Sequence, residues 1–359
     1  MTLKKVLIMA GGTGGHVFPA LAIAKTMQQQ GIEIHWLGTE KGLEARVVPE
    51  TGIPLYFITI GGLRGKGWKN LLAAPWRLMI AVWQAARIIK QLQPDVVLGF
   101  GGFVSGPGGI ASTLLRKRLV IHEQNAKAGL TNKCLSNFAA RILEGFPNTF
   151  SQGKKVVTTG NPVRKEMAEV SPPYERFKNR SGRLHLLVIG GSLGASAINE
   201  LVSHALAKIP VNERPEVRHQ TGEKHYHETL KLYAEANIHA EVTPFIANMA
   251  EAYEWADMIV ARAGASTIAE LCAVGVGALL IPYPYAAGDH QTNNANYMVQ
   301  GGAATLIQQR DLTEEILIEW LRQFSKSAEK RLLMAQSAFK LRKIDASEKV
   351  LKICEEICH

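Results

Sequence analysis

Short apolar runs, separated by stretches of helical composition, set the pattern of this chain. In the first half they fall at residues 6–9 (Val-Leu-Ile-Met), 33–37, 96–99, 119–122 and 141–143. In the second half they fall at 186–189, 242–246, 258–260 and 278–282, with the polar stretch Gln220-Thr221-Gly222 between the first two. Brief, mostly apolar runs of this kind read as strands buried on both faces. Their alternation with helical stretches predicts parallel sheets covered on both sides. The run at 6–9 leads into Ala10-Gly11-Gly12-Thr13-Gly14-Gly15-His16, and the run at 186–189 leads into Gly190-Gly191-Ser192-Leu193-Gly194-Ala195. The same strand, glycine turn and helix start therefore recur about half a chain apart. This predicts an α/β chain of two doubly wound, Rossmann-like halves with both turns facing a central cleft. A polar, proline-bearing segment at 171–182 follows Asn161-Pro162-Val163-Arg164. The expected domains are thus 1–163 and 164–340, with a last helix at 341–359 packing back on the first.

The uncharged stretch 96–115 has the length of a membrane span, but glycines and Pro107 interrupt it. The reading there is a strand followed by a loop. The apolar run after Lys4-Lys5 is too short for a signal peptide. Hydrophobic residues make up 47% and charged residues 20% of the 359, as in globular proteins. The four cysteines (Cys134, Cys272, Cys354 and Cys358) are scattered, which fits a reduced, cytosolic chain and no metal site.

Charge changes the picture more. The formal net charge is +10, which favours an anionic partner. Between Glu50 and Glu123 the only acid is Asp95, while Arg64, Lys66, Lys69, Arg77, Arg87, Lys90, Arg116, Lys117 and Arg118 share the span. Leu72, Trp76, Met79, Ile80 and Trp83 recur there at helical spacing, and Leu71, Leu78, Val82 and Ile89 line another side. One apolar face suits the sheet. The second, with two tryptophans among basic residues, suits an anionic membrane surface contacted through region 64–90. The alternative is an ordinary buried helix with a basic rim. No helix-turn-helix, zinc-finger or RNA-recognition signature points to nucleic acid.

Several stretches carry candidate chemistry. A glycine turn between strand and helix presents backbone N–H groups at a positive helix end, which suits a phosphate. The first turn is neither a dinucleotide fingerprint, since Val17 stands where its third glycine belongs, nor a P-loop, since no Gly-Lys-Ser/Thr follows. His122-Glu123-Gln124-Asn125 ends a strand, where Asn125 either contacts substrate or bonds to loop backbone. Arg262-Ala263-Gly264-Ala265-Ser266-Thr267-Ile268-Ala269-Glu270 follows another strand. Thr267 and Glu270 fit a capping box. The competing reading gives a diphosphate the N–H groups of Ala265 to Thr267, and gives a ribose diol the Glu270 carboxylate. Asp289-His290-Gln291-Thr292-Asn293 opens a further helix, with Asp289 as a possible N-cap or sugar-hydroxyl ligand. No Asp-x-Asp metal clamp is present.

Taken in order, residues 11–19, 61–67, 101–109, 122–125, 160–164, 190–195, 262–270 and 289–291 resemble glycosyltransferase family 28. The resemblance spans nearly the whole chain. It implies the GT-B fold, metal-independent catalysis without a cofactor, and UDP-N-acetylglucosamine as donor. The acceptor it implies is lipid I, the undecaprenyl-diphosphate-linked N-acetylmuramyl pentapeptide, converted to lipid II for peptidoglycan at the cytoplasmic face of the inner membrane. The second domain is expected to hold most of the donor, and the first the acceptor diphosphate and the membrane contact. Thr13, Gly14, Gly15, Asn125, Arg164, Ser192, Ile246, Ala265, Ser266, Thr267, Ile268, Ala269, Glu270 and Gln291 fall on donor-contacting positions of the family. Leu193 and Thr292 depart from it, each standing where glutamine is found in members of the family.

The reaction so implied is a single in-line displacement. The acceptor 4-hydroxyl attacks the anomeric carbon and UDP leaves from the opposite face through an oxocarbenium-like state. His16 is the candidate base, because imidazole suits proton transfer near neutral pH. A phosphate- or acceptor-binding role for His16 is the rival. Other UDP-N-acetylglucosamine transferases or epimerases of the same fold, and a membrane-peripheral nucleotide-sugar binding protein, are the competing functions.

Overall fold

The computed structural model describes residues 2–61, 74–178, 180–191 and 194–358. The chain divides into two units, one of Met1–Val163 with Ile344–His359, the other of Arg164–Lys343.

In the first unit, β1 (Lys5–Met9), β2 (Glu33–Gly38), β3 (Leu55–Phe57), β4 (Val96–Gly99), β5 (Arg118–Glu123), β6 (Arg141–Glu144) and β7 (Val156–Thr158) form one parallel sheet. Its order is β3-β2-β1-β4-β5-β6-β7. Along β1 the side chains alternate between two cores, as a two-residue period requires. Val6 and Ile8 pack with Ile23 and Met27 of helix α1 (Gly14–Gln29) and with Val350, Ile353 and Cys354 of the last helix, Ala346–Glu356. Leu7 and Met9 pack with Ala81, Ala85 and Ile89 of α2 (Ala74–Leu92) and Val104 and Ala111 of α3 (Gly102–Leu114).

Helix α3 corrects the loop expected after residue 99. Its glycines are there for close approach. A Cβ on Gly109 would lie 2.6 Å from Leu135 Cδ2, and one on Gly108 would collide with Met9 Sδ. Pro107 also lies inside the helix. The composition of a loop is here the composition of a helix pressed against a sheet.

In the second unit, β8 (His185–Ile189), β9 (Glu216–Gln220), β10 (Ala240–Thr243), β11 (Met258–Ala261), β12 (Gly277–Leu280) and β13 (Ala304–Leu306) are again parallel, in the order β10-β9-β8-β11-β12-β13. The polar stretch 220–222 begins where β9 ends, at Gln220, and of the run at 242–246 β10 takes only Val242 and Thr243. The strands not anticipated, β3, β7 and β13, are three-residue edge strands. Edge strands need no continuous apolar run, because one side has no neighbour to pair with.

Candidate active site

The order of strand addition reverses between β1 and β4 in the first sheet and between β8 and β11 in the second. In open α/β sheets, ligand sites form at such switch points, outside the carboxyl ends of the strands. The sequence-predicted glycine turn at 10–15 leaves β1, and the Arg262–Glu270 stretch leaves β11.

At the first switch point, α1 starts at Gly14 after Thr13 in an extended N-cap conformation, with no acid in its first turn. A helix start leaves its first N–H groups without intrahelical partners and carries partial positive charge. Thr13 Oγ1 lies 3.3 Å from His16 Nδ1. The His16 ring lies against the turn between β4 and α3: a Cβ on Gly101 would be 3.3 Å from its Nε2. Gly101 and Gly102 both have positive φ, and a Cβ on Gly102 would sit 2.5 Å from Gly11 O. Ser105 Oγ accepts the Gly101 N–H at 3.0 Å and lies 2.9 Å from Met9 O, tying the two strand ends together.

Sequence reasoning missed Glu44. Its fully buried carboxylate accepts Gly12 N–H at 3.0 Å through Oε2, and Thr39 N–H and Oγ1–H at 2.8 Å each through Oε1. A Cβ on Gly11 would come within 2.6 Å of Glu44 Oε1, and one on Gly38 within 2.6 Å of its Cγ. Glu44 thus holds the glycine turn from behind. Ala10 O, just before the turn, accepts the buried Trp36 indole N–H at 2.9 Å.

The strand end at 122–125 divides in role. His122, Glu123 and Gln124 are buried; the first two reach loop backbone, while Gln124 Nε2 donates to His122 O at 3.1 Å. His122 Nε2 lies 3.2 Å from Gly160 O, and burial pushes its pKa down to about 4. Glu123 accepts from Gly129 N and Asn132 Nδ2 with one oxygen, and from the Asn125 backbone and side-chain amides with the other. Asn125 is half-buried, its amide held by Glu123.

At the second switch point, helix α4 (Ala265–Val274) starts after Gly264, also with no acid in its first turn. Thr267 lies inside that turn and Gly264 is the N-cap, so the capping box does not form. Glu270, one turn further on, instead accepts the Tyr253 hydroxyl at 2.9 Å through Oε2, while Oε1 lies 4.0 Å from Arg164 NH2. Burial pushes the Glu270 carboxyl up, against Tyr253 and Arg164, which hold it down. Among the candidate residues, the fold therefore brings Arg164, Glu270 and the Ala265–Thr267 amides together.

Gln291 joins them from the helix His290–Gln300. Its Oε1 accepts Ala263 N–H at 3.2 Å and Tyr283 N–H at 2.8 Å. With the carbonyl so engaged, the group it presents to a ligand is the amide NH2. Asp289 stands at the N-cap of that helix in a left-handed conformation, but its carboxylate accepts the Thr292 hydroxyl at 2.6 Å and no first-turn N–H. Ile246 lies half-buried in the loop after β10. The turn after β8 has positive φ at Gly191 and Gly194. Ser192 and Leu193, with most of the 61–67 piece and Leu71 and Leu72, lie outside the described residues. Among the described residues, no group of three or more His, Cys, Asp or Glu side chains is placed to hold a metal ion.

The profile of the glycosyltransferase family 28 N-terminal domain matches residues 6–144, and that of the C-terminal domain matches 185–350. The UDP-N-acetylglucosamine–N-acetylmuramyl-(pentapeptide) pyrophosphoryl-undecaprenol N-acetylglucosamine transferase of Marinobacter nauticus is 51% identical over 353 residues, 98% of this chain and 97% of that one. The transferase of the same name from Pseudomonas putida strain GB-1 is 51% identical over 359 residues, covering 99% and 98%. The crystal structure of Acinetobacter baumannii MurG superposes with a TM-score of 0.87 at 41% identity, over 98% of this chain and 99% of that one. With two parallel-sheet, Rossmann-like units of the GT-B class and relatives alike over its full length, the chain belongs to glycosyltransferase family 28.

Proposed function

We propose that the chain transfers N-acetylglucosamine from UDP-N-acetylglucosamine to the 4-hydroxyl of the N-acetylmuramyl unit of lipid I, with inversion, giving the β-1,4 linkage of lipid II. The observation that carries the donor assignment is the grouping of a helix start without acids, Arg164 and Glu270 at the switch point of the second sheet. The amides of Ala265, Ser266 and Thr267 take the donor diphosphate, and Arg164 adds a positive charge as negative charge develops on the leaving UDP. Preorganised donors of this kind stabilise a transition state without reorganising during the reaction. Ile268 and Ala269 continue the turn that carries Glu270 to the ribose diol, and the Gln291 amide donates to a sugar hydroxyl. Ser192 is assigned a diphosphate contact on the resemblance alone.

In the first unit, the turn at Thr13, Gly14 and Gly15 offers N–H groups to a phosphate. His16, braced by Thr13 and the Gly101 turn, takes the proton from the attacking hydroxyl. Asn125, held by Glu123, donates to the substrate.

The enzyme works at the cytoplasmic face of the inner membrane, bound to the surface through α2. Trp76 and Trp83 are 66% and 63% exposed, with Met79, Ile80 and Leu78 exposed beside them, and Arg77, Arg87 and Lys90 exposed on the same helix. Exposed tryptophans beside basic residues suit an anionic interface. Among the described residues, no helix is long and apolar enough to cross a membrane.

The test is UDP release from UDP-N-acetylglucosamine in the presence of a chelator, with and without a lipid-diphosphate-linked N-acetylmuramyl acceptor. Release only with acceptor supports the transfer and its independence of metal. Release without acceptor replaces the reading by an epimerase or hydrolase, and binding of donor without release by a binding protein.

A further inference from the structure

Glu270 has two oxygens with different surroundings, and the difference comes from a residue that sequence patterns did not single out. Tyr253 sits in the helix Met249–Trp255 of the second unit, which Asn248 caps by accepting the Glu251 N–H. Its side chain is 1% exposed, so its hydroxyl does not reach a ligand. That hydroxyl donates to Glu270 Oε2 at 2.9 Å, leaving Oε1 on the side of Arg164 NH2, 4.0 Å away. The Glu270 side chain keeps 20% of its surface exposed and Arg164 keeps 50%, so the carboxylate opens to solvent beside the guanidinium.

We infer that Tyr253 is a positioning residue for the donor ribose: its buried hydroxyl fixes the rotation of the Glu270 carboxylate, so that the remaining acceptor lone pairs meet the two ribose hydroxyls together. The inference rests on the reading of Glu270 as the ribose ligand.

A carboxylate free to rotate must be ordered when the diol binds, and that cost is removed when a buried donor has already fixed it. The hydroxyl has a second consequence. Burial pushes the Glu270 carboxyl up, while the Tyr253 hydrogen bond and the Arg164 charge lower it, and these two are the charged or titratable groups that bear on it among the described residues. Burial and the Glu270 charge push the Tyr253 phenol well above its ordinary range, so it stays protonated as the donor. Removing the hydroxyl therefore raises the pH below which Glu270 is protonated and can no longer accept from both ribose hydroxyls.

The experiment titrates the full-length protein with UDP and with 2′,3′-dideoxy-UDP, which lacks both hydroxyls, across the mildly acidic to neutral range. The variants are Tyr253→Phe, Glu270→Ala and the double variant. Tyr253→Phe keeps the ring and removes only the oxygen, and a melting curve accompanies each titration. UDP affinity is expected to fall roughly tenfold in Tyr253→Phe, the scale of one hydrogen bond to a charged group, while dideoxy-UDP affinity is unchanged. The loss is expected to deepen on acidification at a higher pH than in the parent protein. In the Glu270→Ala background, Tyr253→Phe is expected to add nothing. Equal losses for both nucleotides, or no loss for UDP, overturn the positioning role while leaving the ribose reading intact. If Glu270→Ala itself leaves the preference for UDP over dideoxy-UDP unchanged, the ribose reading fails, and the inference with it.

Discussion

The buried carboxylate of Glu44 accepts the backbone N–H of Gly12 at 3.0 Å, across 32 positions of sequence. The turn that presents helix α1 is therefore shaped by a side chain that no ligand needs to touch. Glu44→Ala leaves three donors, the Gly12 and Thr39 amides and the Thr39 hydroxyl, without their acceptor. Each buried polar group so orphaned costs about 1–3 kcal/mol, so a loss of roughly 3 kcal/mol is expected after partial rehydration. Urea unfolding measures it. Glu44→Gln keeps one acceptor oxygen and is expected to lose less. Activity should fall in the same order, because the His16 turn loses its support.

Gly102 makes a sharper test of the same turn. Its φ is +76° and a Cβ there would lie 2.5 Å from Gly11 O, which is backbone and has little room to give. Gly102→Ala is expected to cost on the order of 1–3 kcal/mol from the left-handed conformation and the overpacking together. Turnover should fall more than the melting temperature suggests, since the displaced atom belongs to the glycine turn. Parent-like turnover would separate that turn from the chemistry.

How far the sequence reached can be judged at particular residues. The strands at 6–9, 96–99 and 186–189 were legible because a strand buried on both faces is apolar throughout, and Val6 to Met9 alternate between two cores. Helix α3 was not legible: Gly108 and Gly109 are chosen for the space left by Met9 and Leu135, which only the fold brings near. Arg164, Glu270 and Gln291 were singled out as candidates through the resemblance and a turn with polar ends. Glu44 and Tyr253 were not, because each acts through a partner distant in sequence, Gly12 or Glu270, and neither partner's sequence neighbourhood signals the contact. The same holds for the capping-box reading of Thr267 and Glu270, where the local pattern was right in spacing and the helix began three residues too early for it.

His16→Ala, assayed with both substrates saturating, is expected to lower kcat by about a hundredfold or more, the usual contribution of a general base. Binding of UDP through Glu270 and Arg164 should survive, since those residues belong to the other unit. A variant that keeps nearly full kcat while its acceptor KM rises would assign His16 to acceptor binding.

Acid should weaken the fold through two buried histidines. Burial pushes the pKa of His122 down to about 4 and that of His219 down to about 3. His219 is held between Tyr233 OH at 2.9 Å and Asn199 Oδ1 at 3.0 Å. Both folded values lie below the unfolded one, so between them the unfolded chain binds more protons. Stability is then fully present above the ordinary histidine range and falls as pH drops through it, by up to about 1.4 kcal/mol per pH unit for each histidine. Glu270, whose carboxyl is raised, works in the opposite sense over the lower part of this window. The variants isolate the terms: unfolding free energies measured from pH 7 to pH 5 should vary less in His122→Gln and His219→Gln than in the parent. An unchanged slope in both would show that these histidines stay hydrated in the folded protein.

Membrane binding separates the exposed face of α2 from its buried one. Ala81, Ala85 and Ile89 lie in the core, whereas Trp76 and Trp83 are mostly exposed. Replacing both tryptophans with alanine therefore removes little internal packing, and the melting temperature should stay near the parent value. Retention on anionic vesicles should fall by roughly tenfold or more, since each large apolar side chain contributes about 1.5–3 kcal/mol when fully buried. Added salt should weaken retention of the parent protein, because exposed charge attraction is screened within about 10 Å at 0.1 M. Arg77→Gln with Arg87→Gln and Lys90→Gln should lower retention and flatten its salt dependence, leaving the contribution of the tryptophans. If the parent protein is held equally on neutral and anionic vesicles, the basic residues play no part. If the tryptophan variant is held as well as the parent, the exposed face of α2 is not the contact.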